Sequence, residues 1–350
     1  MGKRNEGLDL LKLICAFLVI SAHKPFPQPM GIYPATMARL TIPIFLMITG
    51  YFSLSRLSTD ADGRAVFGIR KGGVKLINTL KLLLLASSLY LVIGICDNYP
   101  TATIKEYLAS IFNAKTMRKM LLFNTSPFAI HLWYLHAVLY AMAFIVLMDK
   151  VRATRKILYV LAPFLIAVDF IFGRYSIILL GRYYPVYYTR NWLIFALPNL
   201  SIGMMLKEYD IVERTKKYHW QLGVASIILV AGVMAEHFHF EDVIKKGARE
   251  NYIFAVFASV TLFLWFAQIP RLSGKIMQKL AWLGNTASAG IYIIHIYFVQ
   301  HLPKLVKQLN MRDFYRATAP VVIFILSAVV TCLYNALKQR IIARRKALQR

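Results

Sequence analysis

Ten apolar segments recur along the 350 residues, near 7–24, 36–55, 76–96, 131–148, 156–173, 188–206, 220–236, 251–269, 281–299 and 317–337. Each approaches the roughly 20 residues that a helix needs to cross about 30 Å of hydrocarbon. In lipid, backbone amides must be satisfied within the protein, which leaves helices as the simplest spanning solution for segments of this length. Hydrophobic residues make up 58% of the chain, against about 45–50% in soluble domains. The expectation is an all-α, polytopic integral membrane helix bundle of about ten transmembrane helices, forming one domain over residues 1–350. Neither internal repeats nor low-complexity linkers are visible, which disfavours a transporter built from inverted repeats.

A formal charge of +26 points to nucleic acid only where the cations form one patch. Here they fall between the apolar segments, so anionic headgroups of the lipid bilayer are the expected partner, and no nucleic acid. With the N-terminus inside, Lys and Arg in the inner segments outnumber those outside, which places both termini in the cytoplasm. Lys3 and Arg4 before an apolar run ending in Ser21-Ala22 imitate a signal peptide. Asp9 and Lys12 interrupt that run and no cleavage-type site follows, so retention is expected. Cys15, Cys96 and Cys332 are widely spaced, which argues against a disulfide framework or a zinc site.

The first apolar segment also carries Asp9, Lys12 and His23. Eleven positions at about 100° each put Lys12 and His23 on one helix face, about 16 Å apart along the axis. Ionisable groups at membrane depth are costly and usually mark function. His23 reads either as a residue at the membrane boundary or as a general base near neutral pH. Lys12 reads as a headgroup anchor paired with Asp9 at i,i+3, or as a contact for an anionic ligand. Arg39 opens the second segment on the outer side, as an anchor or as an oxyanion stabiliser.

Further along, Trp133 and Tyr134 stand at a helix entrance, where an aromatic belt or a stacking surface is expected. Arg190-Asn191 follows a run containing Tyr183, Tyr184, Tyr187 and Tyr188. Tyr292 and His295 are i,i+3 neighbours expected to face the bundle interior. Asp169 lies in an apolar segment and requires a partner. His131 and His136 are five apart and not on one face, and Glu236, His237, His239 and Glu241 read as a solvated outer loop. No metal is therefore expected. Residues 97–130 form a long outer loop with an amphipathic stretch from Ile104 to Leu122, read as an interfacial helix or as a lid.

Taken in order, these stretches resemble acyltransferase family 3 of membrane enzymes. Lys12 and His23 look like the opening signature of a basic residue, ten residues and histidine, although most members have arginine at the basic position. Lysine keeps the charge but lacks the planar fork. Ile42 to Tyr51 is similar to the family's "VPxFFxxSGY" segment, with Thr49 replacing serine. His131 to Leu135 looks like "HLWYL", and Arg190-Asn191 with Phe195, Pro198 and Gly203 like its arginine–asparagine segment. Gly290 to His295 resembles the late "IYLIH".

The resemblance implies a ten-span enzyme of the bacterial plasma (inner) membrane. Such an enzyme takes an acyl group, commonly acetyl, from cytoplasmic acyl-CoA and passes it to a hydroxyl of an extracytoplasmic or lipid-linked saccharide. His23 would be the catalytic histidine, with Lys12 and Arg39 beside the reaction. Trp133, Tyr134, Arg190, Asn191, Tyr292 and His295 would line the acceptor path. For the donor phosphates, charge and glycine flexibility favour the first inner loop, with Arg64, Arg70, Lys71 and Lys75 around Gly72-Gly73, in addition to Lys12. Ordinary positive-inside bias also accounts for that loop. A rival reading is a permease that moves a small solute through the same pore.

Overall fold

The computed structural model describes residues 4–54, 58–59, 65–66, 69–99, 101–148, 154–244 and 251–348. Among these the regular structure is helical apart from a two-residue antiparallel pairing of β1 (Ser58–Thr59) with β2 (Ala65–Val66). The first half holds α1 (Glu6–His23), α2 (Ile32–Met37), α3 (Thr41–Thr49), α4 (Ile69–Asn98), α5 (Ile104–Ile111), α6 (Ala114–Phe123), α7 (Trp133–Met148) and α8 (Thr154–Phe172). The second half holds α9 (Ser176–Leu180), α10 (Leu197–Glu208), α11 (Ile211–Arg214), α12 (His219–Ile244), α13 (Ile253–Ala267), α14 (Lys275–Gln308) and α15 (Arg312–Leu348).

Helix therefore covers each of the ten apolar segments. Five helical stretches among the described residues are long and apolar enough to cross a membrane: Ile32–Leu54, Gly72–Asn98, Ile130–Met148, Lys216–Phe240 and Arg312–Arg345. The physical reasons for the shortfall differ. Glu6, Asp9 and Lys12 interrupt the apolar run of α1, and α13 has only 15 residues, fewer than a full crossing needs.

The chain divides into two compact units interleaved along the sequence. The first comprises residues 1–42, 218–235 and 257–350. Its centre is α1 packed on α14 and α15. The contacts Asp9 with Gly284 and His23 with His295 ascend together, so α1 and α14 run parallel. Gly290 meets Thr331 while Asn335 donates to the Thr286 carbonyl, so α14 and α15 run antiparallel. Gly284 lies against the Asp9 carbonyl with no room for a Cβ. Small residues at such crossings let helix backbones approach closely within a membrane. The start of α1 is fixed by Asn5, whose side chain accepts from the Leu8 amide at 2.9 Å and donates to the Ala267 carbonyl at 2.6 Å. Its other end is held by the Lys24 ammonium, 5.4 Å from the centre of the Tyr315 ring.

The second unit comprises residues 43–217 and 236–256. Here Gly50 sits against the Leu200 carbonyl and Gly203 against the Met47 carbonyl, a reciprocal antiparallel contact that a Cβ on either side would close off. Two π-helical turns, Gly50–Leu54 and Trp192–Ala196, flank this contact. π turns leave backbone groups out of the regular ladder and recur at functional sites.

The amphipathic stretch 104–122 is two helices rather than one. Thr103 and Glu106 form a capping box at the start of α5, and Asn113 stops it by capping α6 through the Thr116 amide at 2.9 Å. Hydrogen bonds from the Thr103 amide and hydroxyl hold the Glu106 carboxyl below its ordinary range.

Candidate active site

In the first unit, His23 closes α1, and its ring lies 5.2 Å centroid to centroid from that of His295 at a 50° tilt. His295 is wholly buried and His23 is exposed. The Nδ1 of His295 is 2.7 Å from the Tyr292 carbonyl oxygen and 3.2 Å from that of Ile291. Carbonyl oxygens only accept, so this nitrogen carries the proton. The Tyr292 ring stands 6.1 Å from His295. Three of the residues singled out in the sequence, His23, Tyr292 and His295, are thus brought together at the α1–α14 crossing.

Lys12 lies nearer the start of the same helix. Its ammonium is 2.6 Å from Asp9 Oδ1, and the Arg4 guanidinium is 2.8 Å from Asp9 Oδ2. The Asp9 side chain is 5% exposed and that of Lys12 18%, so a nearly buried carboxylate holds two cations at once. The i,i+3 pairing was readable from spacing; the share taken by Arg4 was not. Arg39 is half-buried in a 3₁₀ turn (Ala38–Leu40) that packs against α1.

In the second unit a cation and aromatic rings gather. The Arg190 guanidinium stands 5.0 Å from the Trp133 ring, and Trp133 meets Phe195 at 5.8 Å and Tyr134 at 6.5 Å, edge to face. Tyr134 shares a side-chain hydrogen bond with Thr49. Asn191 caps the π turn by accepting from the Leu193 and Ile194 amides, each at 2.9 Å. Asn191 is therefore committed to the backbone. A nearby shelf is formed by Tyr187, Tyr188 and Phe123, with Lys119 lying 5.0 Å from the Tyr187 ring.

Asn124, which sequence reasoning passed over, ties this region together. It is fully buried in the left-handed region (φ 50°), donates to the Trp133 carbonyl at 3.3 Å and accepts from the Trp192 amide at 2.6 Å. The only local signal was an Asn-Thr-Ser-Pro turn, since asparagine tolerates this conformation better than most residues.

Asn251 is one partner of Asp169 and donates to its carboxylate. Glu236 and His237 do not lie in a solvated loop. They are inside α12, where Glu236 is buried and accepts from the Ile253 and Phe254 amides at 2.9 and 3.0 Å. Capping the free amides at the start of α13 explains why a carboxylate is tolerated there. The His237 Nδ1 is 2.7 Å from the Tyr252 hydroxyl, and the Arg174 guanidinium lies 3.6 Å from the Tyr252 ring. His131 is buried against Tyr90, and His136 lies 3.0 Å from the Leu132 carbonyl.

Of the donor-loop residues, Lys75 is exposed on α4, and Arg70 and Lys71 belong to the same helix. Arg64 lies outside the described residues.

Residues 5–336 match the acyltransferase domain of acyltransferase family 3. The chain belongs to that family. It is also similar to a serine/alanine racemase of Enterococcus gallinarum, 22% identical over 312 residues, covering 85% of this chain and 41% of the relative. An amino-acid racemase of Enterococcus faecalis is 28% identical over 142 residues, which cover 39% of this chain and 18% of the relative. The chain thus spans less than half the length of the curated relatives it matches. No solved structure matches it significantly. Apolar helices and membership of this family make the chain a multi-pass membrane protein.

Proposed function

We propose that this protein is an acyltransferase that moves an acyl group, in the first instance acetyl, from cytoplasmic acyl-CoA to a hydroxyl of an extracytoplasmic or lipid-linked saccharide, in a bacterial inner membrane. Ten spans with both termini in the cytoplasm are part of the proposal. The reading is supported above all by His23, an accessible imidazole held against a fixed, buried histidine at one end of a helix that carries cations at the other.

The chemistry follows from that arrangement. His23 takes the proton of the acceptor hydroxyl as its oxygen attacks the thioester carbonyl. The new C–O bond forms, the C–S bond breaks, and the proton passes from His23 to the departing thiolate of CoA. Arg39 meets the negative charge that develops on the carbonyl oxygen. With Asp9 neutralising one of two cations, Arg4 and Lys12 retain one net positive charge near the start of α1 for a donor phosphate. Arg64, Arg70, Lys71 and Lys75 supply the remaining donor contacts. Trp133, Tyr134 and Arg190 offer rings and a guanidinium to a sugar face and its oxygens. No step in this mechanism uses a metal.

A single substitution tests it. His23→Ala in the purified full chain should lower transfer from labelled acetyl-CoA by at least about 10²-fold, with acetyl-CoA binding unchanged. Equal transfer by the variant would remove His23 as the base.

One finding favours a second reading. The matched relatives are named for amino-acid racemisation, and the chain corresponds to only part of their length. The rival reading is a permease that moves a small solute through the same pore; the relatives' names suggest only that the solute to try is an amino acid, and uptake of labelled serine or alanine without acyl transfer would favour it.

A further inference from the structure

We infer that Lys119, Tyr187 and Tyr188 form a subsite for a saccharide joined to lipid through phosphate, the rings taking the sugar and the ammonium the phosphate. The inference rests on the reading of a saccharide acceptor, and deepens it by naming the acceptor's class.

Charge is the first observation. Residues 107–148 hold Lys115, Arg118 and Lys119, residues 170–206 hold Arg174, Arg182 and Arg190, and neither stretch contains an Asp or Glu. Among the described residues no carboxylate pairs with Lys115, Arg118 or Lys119. The acids that precede α6 in the chain are engaged elsewhere. Glu106 accepts from the Thr103 amide and hydroxyl, and Asp97 stands near Tyr107. A surface of one sign draws in an anion.

The rings are the second. The half-buried Lys119 carries its ammonium 5.0 Å from the centre of the Tyr187 ring. With three N–H donors it can face that ring and still meet an anion on its other side. Tyr187 and Tyr188 are 4.7 Å apart at 42°, and each lies 5.2 Å from Phe123. Behind them Pro185 leads into a 3₁₀ turn (Val186–Tyr188), and Asn191 donates to the Tyr188 carbonyl at 2.6 Å. The Tyr188 side chain nevertheless stays exposed. An interfacial anchor needs no such fixing, whereas a surface that stacks a sugar gains affinity from being held in place.

Depth is the third, and it selects the source of the anion. Leu121 and Leu122, just before Phe123, are both exposed. Cations beside exposed leucines on a short amphipathic helix belong at headgroup level. A phosphate that joins a saccharide to lipid must lie at that depth, while a charge further along the saccharide need not. The first sugar follows that phosphate directly, which suits rings packed beside the ammonium.

The test measures binding alone, on the full chain in a zwitterionic detergent and without acyl-CoA. Two labelled probes carry the same prenyl chain and the same glucose. In one a phosphate joins them; in the other a plain glycosidic bond does. The phosphate probe should bind about tenfold more tightly, and the preference should shrink as salt rises from about 0.05 to about 0.5 M. Lys119→Gln should abolish the preference and leave the neutral probe's affinity unchanged. Tyr188→Ala should weaken both probes alike. Arg118→Gln removes the same charge from an exposed position one residue away, and should keep the preference.

No preference in the wild type, or an equal loss in Arg118→Gln, overturns the subsite. Equal displacement of the phosphate probe by phosphatidylglycerol also overturns it, by making the surface a plain headgroup anchor. A preference that depends on Lys119 in a protein that transfers no acyl group upholds the subsite and defeats the enzyme reading. His23-dependent transfer without the preference does the reverse.

Discussion

Asp9 answers to two cations, and each of its oxygens has a separate duty. Replacing it with asparagine removes the charge while keeping the shape, which frees Lys12 and Arg4 of their counter-ion. Tighter acetyl-CoA binding is expected from Asp9→Asn, and weaker binding from Lys12→Ala, both read by equilibrium dialysis. Equal affinity in all three proteins would detach the start of α1 from the donor. Asn124 is a second residue whose importance exceeds its size. Asn124→Ala strands the Trp192 amide, removes a second donor from the Trp133 carbonyl and asks alanine to hold a left-handed backbone. An unpaired buried group costs about 1–3 kcal/mol, so a drop of that order in unfolding free energy is expected. A folded Asn124→Ala of wild-type stability would show that those bonds are not needed. Residues like Asp9 and Lys12 could be paired on the page because their partners are one helical turn away. Arg4 was not seen as a partner because i,i+5 does not put two residues on one face of a regular helix, and it precedes α1. Asn124 was missed because Trp192 is 68 positions on.

Between helices, glycine decides how close backbones come. Gly50 and Gly203 each face the opposite helix in one reciprocal contact. A methyl group at either must push the helices apart or bend them, at about 1–3 kcal/mol by analogy with overpacked cores. Gly50→Ala and Gly203→Ala should each lower the melting temperature in detergent. The double variant should cost less than the two summed, because the first displacement makes room for the second. Strict additivity would contradict the shared contact. A glycine inside an apolar run, as Gly50 is, marks a site where helices can approach closely, whereas the helix it meets is set by the fold.

The break between α5 and α6 shows where pattern reading stops. An apolar stripe continues across residues 104–122, yet Asn113 begins a new helix, because a capping side chain overrides periodicity. A pH test belongs to this element. The Glu106 carboxyl is held below its usual range, so its contribution is present above the unfolded value and lost as pH falls through the folded one. Proteolysis near residues 104–111 should therefore increase at acid pH, and Glu106→Gln should abolish that dependence. An unchanged pH dependence in Glu106→Gln would contradict the capping role.

At the scale of the whole chain, composition alone required a membrane protein, and helices do cover all ten apolar segments. What composition could not supply was the partition. Residues 1–42 fold with 257–350 across more than two hundred intervening positions, and no local pattern encodes a pairing such as that of Gly284 with Asp9. Likewise, Glu236 looked like a loop residue because its role depends on free amides of α13, which only the fold brings within reach.

The proposed activity makes one demand on the molecule, that donor and acceptor be used from opposite faces of the bilayer. Inside-out membrane vesicles containing the full chain, supplied externally with labelled acetyl-CoA, test this most directly. The account predicts label in saccharide sealed within the lumen, lost in His23→Ala vesicles that still bind acetyl-CoA. Label confined to the outer face, or equal luminal label from both proteins, would contradict it.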